Sequence, residues 1–274
     1  MACFNRKELT LRCIESLKRA TPANVALRIV VADDGSTDGT AAALAEVFPD
    51  VTVLAGPGDW FWCGGMRAGL NEAYRDEPDF VLWLNDDVEL YDDFLARLLA
   101  VVYDDESGGV RPAIVAGAVC DPSTKVTTFG GRRSEADVFQ PSMSFPLVPA
   151  SDQVEVCDTM NGNVVLVPRA VYQAVGTIHP KLVHNDGDFD YGLRAAKAGF
   201  AIVAAPGHAG ECEDRPQIDW SGMRRLERWR LLRRAKGAPF ADRIRYYQDH
   251  AGRWWFLRWA TRYVEILQLP YRGQ

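Results

Sequence analysis

The sequence predicts an α/β fold, a mixed sheet flanked by helices with a helical C-terminal extension. Three observations predict it. Short, predominantly apolar runs recur at 27–32, 80–84, 164–167 and 200–205, each too short for a helix. Runs with helical spacing alternate with them. The strands at 27–32 and 80–84 end in carboxylates, as expected where an open α/β sheet presents a crevice at its strand ends. At 274 residues and 47% apolar composition, the chain can bury one α/β domain with an appendage.

The elements follow in order. Ala2-Cys3-Phe4 is a first strand with almost no lead-in: either it is short, or the start lies upstream. Leu11, Cys13, Ile14 and Leu17 share a helical face. The strand 27–32 runs into Asp33-Asp34-Gly35-Ser36-Thr37-Asp38-Gly39-Thr40, where Gly35 and Gly39 permit positive φ. Asp38 or Thr40 can cap a helix over 41–47. After a strand at 51–54 comes Trp60-Phe61-Trp62-Cys63-Gly64-Gly65, expected to be a loop before a helix at 66–74. The strand 80–84 ends in Asn85-Asp86-Asp87, with a helix from about Tyr91. Asn161-Gly162-Asn163 precedes the strand 164–167. His184-Asn185-Asp186-Gly187-Asp188 leads into a helix in which Asp190 can pair with Arg194 at i,i+4. His208 falls in a glycine-flanked loop after the strand 200–205.

Adjacent acids at a strand end repel each other. A hard divalent cation that also bridges a diphosphate would offset this for Asp86 and Asp87; a solvated loop or a helix cap is the plainer alternative. Asp188 stands at a helix start, where the positive dipole end favours its charged form and suits a general base. Trp60 and Trp62 could line a sugar pocket or plug the core. Gly64 and Gly65 would let backbone approach a ligand.

Taken together, these clusters resemble the family 2 glycosyltransferases of the GT-A, Rossmann-like nucleotide-diphospho-sugar transferase fold, over residues 1–211. Cys3-Phe4-Asn5-Arg6 is similar to the family's first-strand element. Asp33 to Gly39 matches its nucleotide-binding Asp-Asp-Gly-Ser-Thr-Asp-Gly residue for residue. Its Asp-x-Asp metal motif falls on Asn85-Asp86-Asp87, and its catalytic Glu-Asp pair on Gly187-Asp188. The resemblance implies an inverting hexosyl- or deoxyhexosyltransferase in cell-surface polysaccharide biosynthesis. It would move a sugar from a UDP- or dTDP-sugar to a glycan or lipid-linked acceptor. Phe4, Arg6, Asp33, Asp34, Gly64, Gly65 and Asp86 would hold the donor. Asp87, with His208, would hold Mg²⁺ or Mn²⁺. Trp60, Trp62, Asn161 and Asp186 would meet sugar or acceptor, and Asp188 would be the base. Three departures stand out: Asn85 for the first metal-motif Asp, Gly187 for the Glu, and Arg67 one place from its usual position.

The chain divides into residues 1–219 and an extension at 220–274. The extension holds 13 Lys/Arg against 4 Asp/Glu, a net +9, leaving −15 on the first 219 residues. It carries Arg224, Arg225, Arg228, Arg230, Arg233, Arg234 and Lys236, then Trp254, Trp255, Phe256, Trp259 and Tyr263, with Gly237-Ala238-Pro239 separating two helices. Basic residues beside interfacial aromatics suit an anionic membrane surface; packing on the domain would use the same aromatics. No motif for nucleic acid is present. The six cysteines have no paired spacing, which favours a reduced compartment. With neither a signal peptide nor a spanning run, the expected place is the cytoplasm, with the extension acting at the inner face of the membrane.

Other classes fit less well. A nucleotidyltransferase would need a Gly-rich, Arg- and Lys-bearing loop where Phe4-Asn5-Arg6-Lys7-Glu8 stands. A catalytically impaired sugar-nucleotide-binding subunit is favoured by Asn85 and Gly187 and opposed by Asp87 and Asp188. A dinucleotide oxidoreductase would need a third glycine after Gly56-Pro57-Gly58.

Overall fold

The computed structural model describes residues 1–104, 109–110, 112–134, 143–213, 219–234 and 240–270. The chain runs β1 (Ala2–Cys3), α1 (Lys7–Ala20), β2 (Val30–Asp33), α2 (Thr40–Val47), β3 (Thr52–Ala55), α3 (Phe61–Ala73), β4 (Phe80–Leu84), β5 (Glu89–Leu90) and α4 (Phe94–Val102). A small pair, β6 (Tyr103–Asp104) and β7 (Gly109–Val110), leads to β8 (Ala113–Cys120), β9 (Thr127–Phe129), β10 (Gly131–Arg132), β11 (Glu155–Cys157), β12 (Thr159–Met160) and β13 (Val164–Pro168). Then come α5 (Arg169–Val175), α6 (Gly187–Lys197), β14 (Ala201–Glu211), α7 (Arg225–Leu232), α8 (Phe240–His250) and α9 (Trp255–Gln268).

The strands β1, β2 and β3 form a parallel sheet in the order β1-β2-β3. A mixed sheet follows the order β11-β14-β8-β13-β4, with β5 on β14 and β9 on β8. Here β13 is antiparallel to both β4 and β8, whereas β8 and β14 run parallel. Strict alternation explains why these strands read as unbroken apolar runs. Leu84, Val115, Val164 and Leu166 enter one core with Ile14, Leu17, Phe94 and Leu98. Trp83, Ile114, Val165 and Val167 enter the other with Met66, Leu70, Tyr172 and Tyr191. Both faces are covered, so both alternate positions are apolar.

Four boundaries differ from expectation. The strand expected at 27–32 begins only at Val30, where pairing to Thr52 starts, and Leu27 is exposed. The helix expected from Tyr91 starts at Phe94, because Leu90 first pairs with Gly210 of β14. The helix expected at 66–74 begins five residues earlier, at Phe61, and absorbs the diglycine. Pairing to β8 carries β14 through the expected loop, so His208 lies in a strand opposite Ala118.

The C-terminal helices pack on one another and, through Tyr246, Tyr247 and Ala251, against Phe189 and Leu193 of α6. Phe240 meets Trp259 and Tyr263, and the buried Arg228 donates to the carbonyls of Ile266 and Leu269, closing the end of α9. The expected break at Gly237-Ala238-Pro239, and Lys236, lie outside the described residues. All six cysteines are buried. An apolar cavity of about 370 Å³ lies between Val30 and the strand Phe80–Leu84; none of the expected site residues lines it.

Candidate active site

The loop after β1 is tied to the loop after β2. Asn5, at φ 52°, accepts from the Thr37 amide at 2.7 Å through its side chain, and its own amide donates to Ser36 Oγ at 2.8 Å. The Lys7 amide donates to Asp38 at 2.9 Å. Gly35 and Gly39 adopt positive φ as the turn requires. This tie aims Arg6 across the crevice. Its Nη1 lies 2.8 Å from Asp86 Oδ1 and 3.3 Å from Asp87 Oδ2. The repulsion foreseen between the two acids is offset here by a guanidinium.

Asp33 and Asp34 divide their work. Asp33 accepts from the Ser36 amide at 3.0 Å. The buried Asp34 carboxylate accepts from the amides of Gly58, Trp60 and Phe61 at 2.9, 3.1 and 2.9 Å. A carboxylate gathering these donors anchors the start of α3 in the manner of a helix-terminal anion. That anchor is why the helix starts at Phe61.

The diglycine serves packing. A Cβ on Gly65 would come 2.8 Å from the Ala2 side chain, and one on Gly64 would come 3.0 Å from Trp60 Cβ. The space where their side chains would stand is taken by helix-to-strand and helix-start contacts. Arg67 is likewise committed, donating to the carbonyls of Ile178, His179 and Leu182.

Trp62 links the second and third acidic clusters. Its indole N–H donates to Asn85 Oδ1 at 2.9 Å, and its ring edge would meet a Cβ on Gly162 at 2.6 Å. The Gly162 amide in turn donates to Asp188 Oδ2 at 2.9 Å. Contacts through the start of α3 and Gly162 thus link the segments that carry Asp34, Asn85 with the acidic pair, and Asp188. Asn161, expected on the sugar side, accepts from Arg132 Nε at 2.8 Å.

Asp188 lies at the second position of α6, half-buried. Burial pushes its carboxyl up to about 6; the amides of Gly162 and Phe189 oppose this, and Asp186 adds to it. The dipole end expected to favour its charged form is outweighed by desolvation. Asp190 pairs with Arg194 at 2.8 Å, as its spacing implied, and with His250 at 2.9 Å. Burial works against its charge, yet His250 and Arg194 hold its carboxyl below the ordinary range. Asp186, expected to face an acceptor, is ion-paired with Arg243 at 3.0 Å.

His208 does not join the acidic pair. Its Nε2 lies 2.9 Å from Thr127 Oγ1, and burial, then Arg97, pushes its pKa down. The end of β14 that reaches Asp87 is Glu211, with Cys212 and Glu213 beyond; these residues and Asp87, Arg12 and Cys13 line a cleft of about 320 Å³. Among the described residues, no group of three or more His, Cys, Asp or Glu side chains converges on one point. Asp86 and Asp87 nonetheless fit a hard divalent cation, since Mg²⁺-type sites take one or two carboxylates and complete their shell from phosphates and water.

Comparison with known proteins agrees with this geometry. The model of "Glycosyl transferase family 2" matches residues 1–149, from β1 through the acidic pair. The chain belongs to glycosyl transferase family 2. A curated relative, the N-acetylglucosaminyl-diphospho-decaprenol L-rhamnosyltransferase of Mycobacterium tuberculosis, is 28% identical over 212 residues, covering 71% of this chain and 68% of its own. The same protein matches from two strains, CDC 1551 / Oshkosh and ATCC 25618 / H37Rv. Among solved structures, the mannosyltransferase PcManGT of Pyrobaculum calidifontis, in complex with GDP-Man and Mn²⁺, aligns with TM-score 0.56 and 17% identity over 97% of this chain and 68% of that one. GalNAc-T7 with UDP, GalNAc and Mn²⁺ aligns with TM-score 0.59 and 14% identity over 98% of this chain and 57% of that one. The fold of this glycosyltransferase is GT-A. The family match ends before Asp188, so the third cluster rests on the geometry above.

Arg132, Arg243, His250 and Tyr246 surround the third cluster without having been expected there. Arg132 is half-buried beside Asp188, and burial lowers its pKa against the pull of that carboxylate. No local pattern marks these residues, since their partners come from distant segments.

Proposed function

We propose that this glycosyltransferase is an inverting, metal-dependent hexosyl- or deoxyhexosyltransferase of cell-surface polysaccharide biosynthesis. It would move a sugar from a UDP- or dTDP-sugar to a hydroxyl of a glycan or lipid-linked acceptor. The observation that carries this reading is Asp188: a carboxyl raised to about 6, joined through Gly162, Trp62 and Asn85 to the acidic pair. Such a group is ionised at neutral pH yet basic enough to accept a hydroxyl proton. The attacking oxygen would then approach the anomeric carbon opposite the diphosphate, and one displacement inverts the centre. The name of the curated relative, an L-rhamnosyltransferase acting on a decaprenol-linked sugar, supports a deoxyhexosyl group and a lipid-linked acceptor.

Asp87, with Asp86, would hold the Mg²⁺ or Mn²⁺, which when bound neutralises charge on the leaving diphosphate. Arg6 sits where it can turn from the acids to the diphosphate. Phe4, Asp33 and Asp34 border the nucleotide end, and Asp34 shapes the turn over it. Trp60 and Trp62 border the sugar. The test is a hydrolysis screen of the purified protein against UDP-, dTDP- and GDP-sugars, with and without Mn²⁺. Release of nucleoside diphosphate from one donor, dependent on Mn²⁺, is expected. Binding without turnover for every donor, with acceptors of each class supplied, would indicate a sugar-nucleotide-binding subunit instead.

The division at 219/220 and the membrane role belong to the same proposal, with the protein working at the cytoplasmic face. The helix α9 separates its aromatics. Trp259 and Tyr263 pack inward, whereas Trp254, Phe256 and Leu257 are 53%, 43% and 52% exposed, beside Arg253 and Arg258. No helix among the described residues is long and apolar enough to cross a membrane. Flotation on vesicles containing about one-third anionic lipid should fall several-fold in the triple variant Trp254→Ser, Phe256→Ser, Leu257→Ser. Undiminished flotation would leave these side chains without a lipid role. This variant is preferable to deleting the extension, which would also uncover α6.

A further inference from the structure

The helix α8 grips α6 at two points. Arg243 reaches Asp186, which immediately precedes α6, and His250 reaches Asp190 one turn further on. The second contact is deeply buried, with both side chains 2% exposed. The first is at the head of the helix. Asp186 holds a left-handed conformation, φ 62°, at the N-cap, and Gly187 and Asp188 follow directly. Asp tolerates this conformation better than most non-glycine residues, and a contact to its side chain helps to hold it there.

We propose that Arg243 is a positioning residue for the transfer reaction: by pairing with Asp186 it fixes the turn that aims Asp188 and cancels the negative charge beside it. This rests on Asp188 being the base. The C-terminal extension then completes the active site as well as appending to it. Without the guanidinium, Asp186 would lose the cation 3.0 Å from its carboxylate, two residues from the base, and like charge disfavours the ionised form.

The groups facing this pair come from several elements. Tyr246 and Tyr247 of α8 and Tyr263 of α9 lie near Asp186, and Tyr246 also lies near Asp188. Arg132 of β10 faces Asp188, and the amides of Gly162 and Phe189 bond it. Asp190 is engaged by Arg194 and His250. Arg243 lies 3.0 Å from Asp186, so its removal should be felt at Asp188 through Asp186.

The test is a ¹³C-carboxyl NMR titration of the full chain, with the Asp188 resonance assigned by its loss in Asp188→Asn. Arg243→Ala should raise the Asp188 midpoint by about half to one pH unit, a roughly three- to tenfold change in proton affinity. Arg243→Lys should restore most of it. Asp186→Asn should lower the midpoint, and in that background Arg243→Ala should have little further effect, as a double-mutant cycle requires of residues acting through one contact. An unmoved midpoint in Arg243→Ala, or the same shift with and without Asp186, would overturn the proposal. If Arg243→Ala does not fold, Asp186→Asn decides: an unchanged Asp188 midpoint overturns it. With an active donor in hand, the acid limb of the hydrolysis profile should move with the NMR midpoint while donor KM stays constant. A shifted midpoint in a protein that turns over no donor would sink the functional reading and leave the electrostatic coupling standing.

Discussion

Asp188→Asn is expected to lower sugar transfer at pH 7.5 by about 10²-fold or more, the usual scale for a lost general base, with nucleotide affinity retained. In the wild type, transfer should rise with pH through about 6, as the Asp188 carboxyl loses its proton. Stability should respond with the opposite sign. The folded carboxyl titrates near 6 against an ordinary value of 3.8, so the fold binds the proton more tightly than the unfolded chain does. The stabilisation from that proton is fully present below 3.8 and is lost as pH rises through about 6. For a half-buried group the span is on the order of 1–2 kcal/mol. Asparagine removes this titration but satisfies only one of the two amides that Asp188 accepts, a loss of about 1 kcal/mol. The variant should therefore melt below wild type at pH 4 and draw level at pH 7.5. Paired melts at the two pH values, with turnover and nucleotide affinity from the same preparation, check this. Near-wild-type turnover would make Asp188 a helix-start residue only, and the base would have to be sought elsewhere in the crevice.

Much of this site was legible in the sequence because its parts are local. Asp33 to Thr40 is a strand end, a turn and a helix start in consecutive residues, and glycine conformations and acid placement follow from neighbours in the chain. The same holds for Asp86 and Asp87 after Phe80–Leu84, and for Asp190 with Arg194. The expected cap at Asp38 or Thr40 is corrected, since the N-cap is Gly39 without a side-chain cap and Thr40 is the first helical residue. What escaped were relations set by tertiary packing. Nothing near Arg6 says that its guanidinium will meet acids 80 residues away. Nothing in Phe61-Trp62-Cys63-Gly64-Gly65 says that Asp34 will gather the preceding amides and start a helix there. The diglycine looked like an open loop because glycine favours loops, whereas here close helix packing on Ala2 excludes a side chain. His208 looked mobile between glycines, yet β8 offered a partner strand. The dipole argument for Asp188 was sound locally, but it took no account of desolvation, which depends on what covers the helix start.

Asp87→Ala is expected to weaken Mn²⁺-supported nucleotide binding by about 10²-fold while leaving the metal-free affinity nearly unchanged. The magnitude follows from removing one of the two carboxylates proposed to hold a cation that takes its other ligands from phosphate and water. The fold should tolerate the change. Arg6 keeps its shorter contact, 2.8 Å to Asp86, and gives up only the one at 3.3 Å to Asp87. An ion pair with a partly exposed guanidinium contributes at most about 1 kcal/mol, so the melting temperature should move by a few degrees. Arg6 also separates two explanations. If the acids matter only as its anchor, losing Asp87 would loosen Arg6 and weaken nucleotide binding equally with Mn²⁺ or with chelator. If they hold the cation, the loss appears only with Mn²⁺. Calorimetric titration of the nucleoside diphosphate into wild type and variant, each with Mn²⁺ and with chelator, distinguishes these outcomes. Equal affinity of the two proteins in Mn²⁺ would remove Asp87 from the metal site.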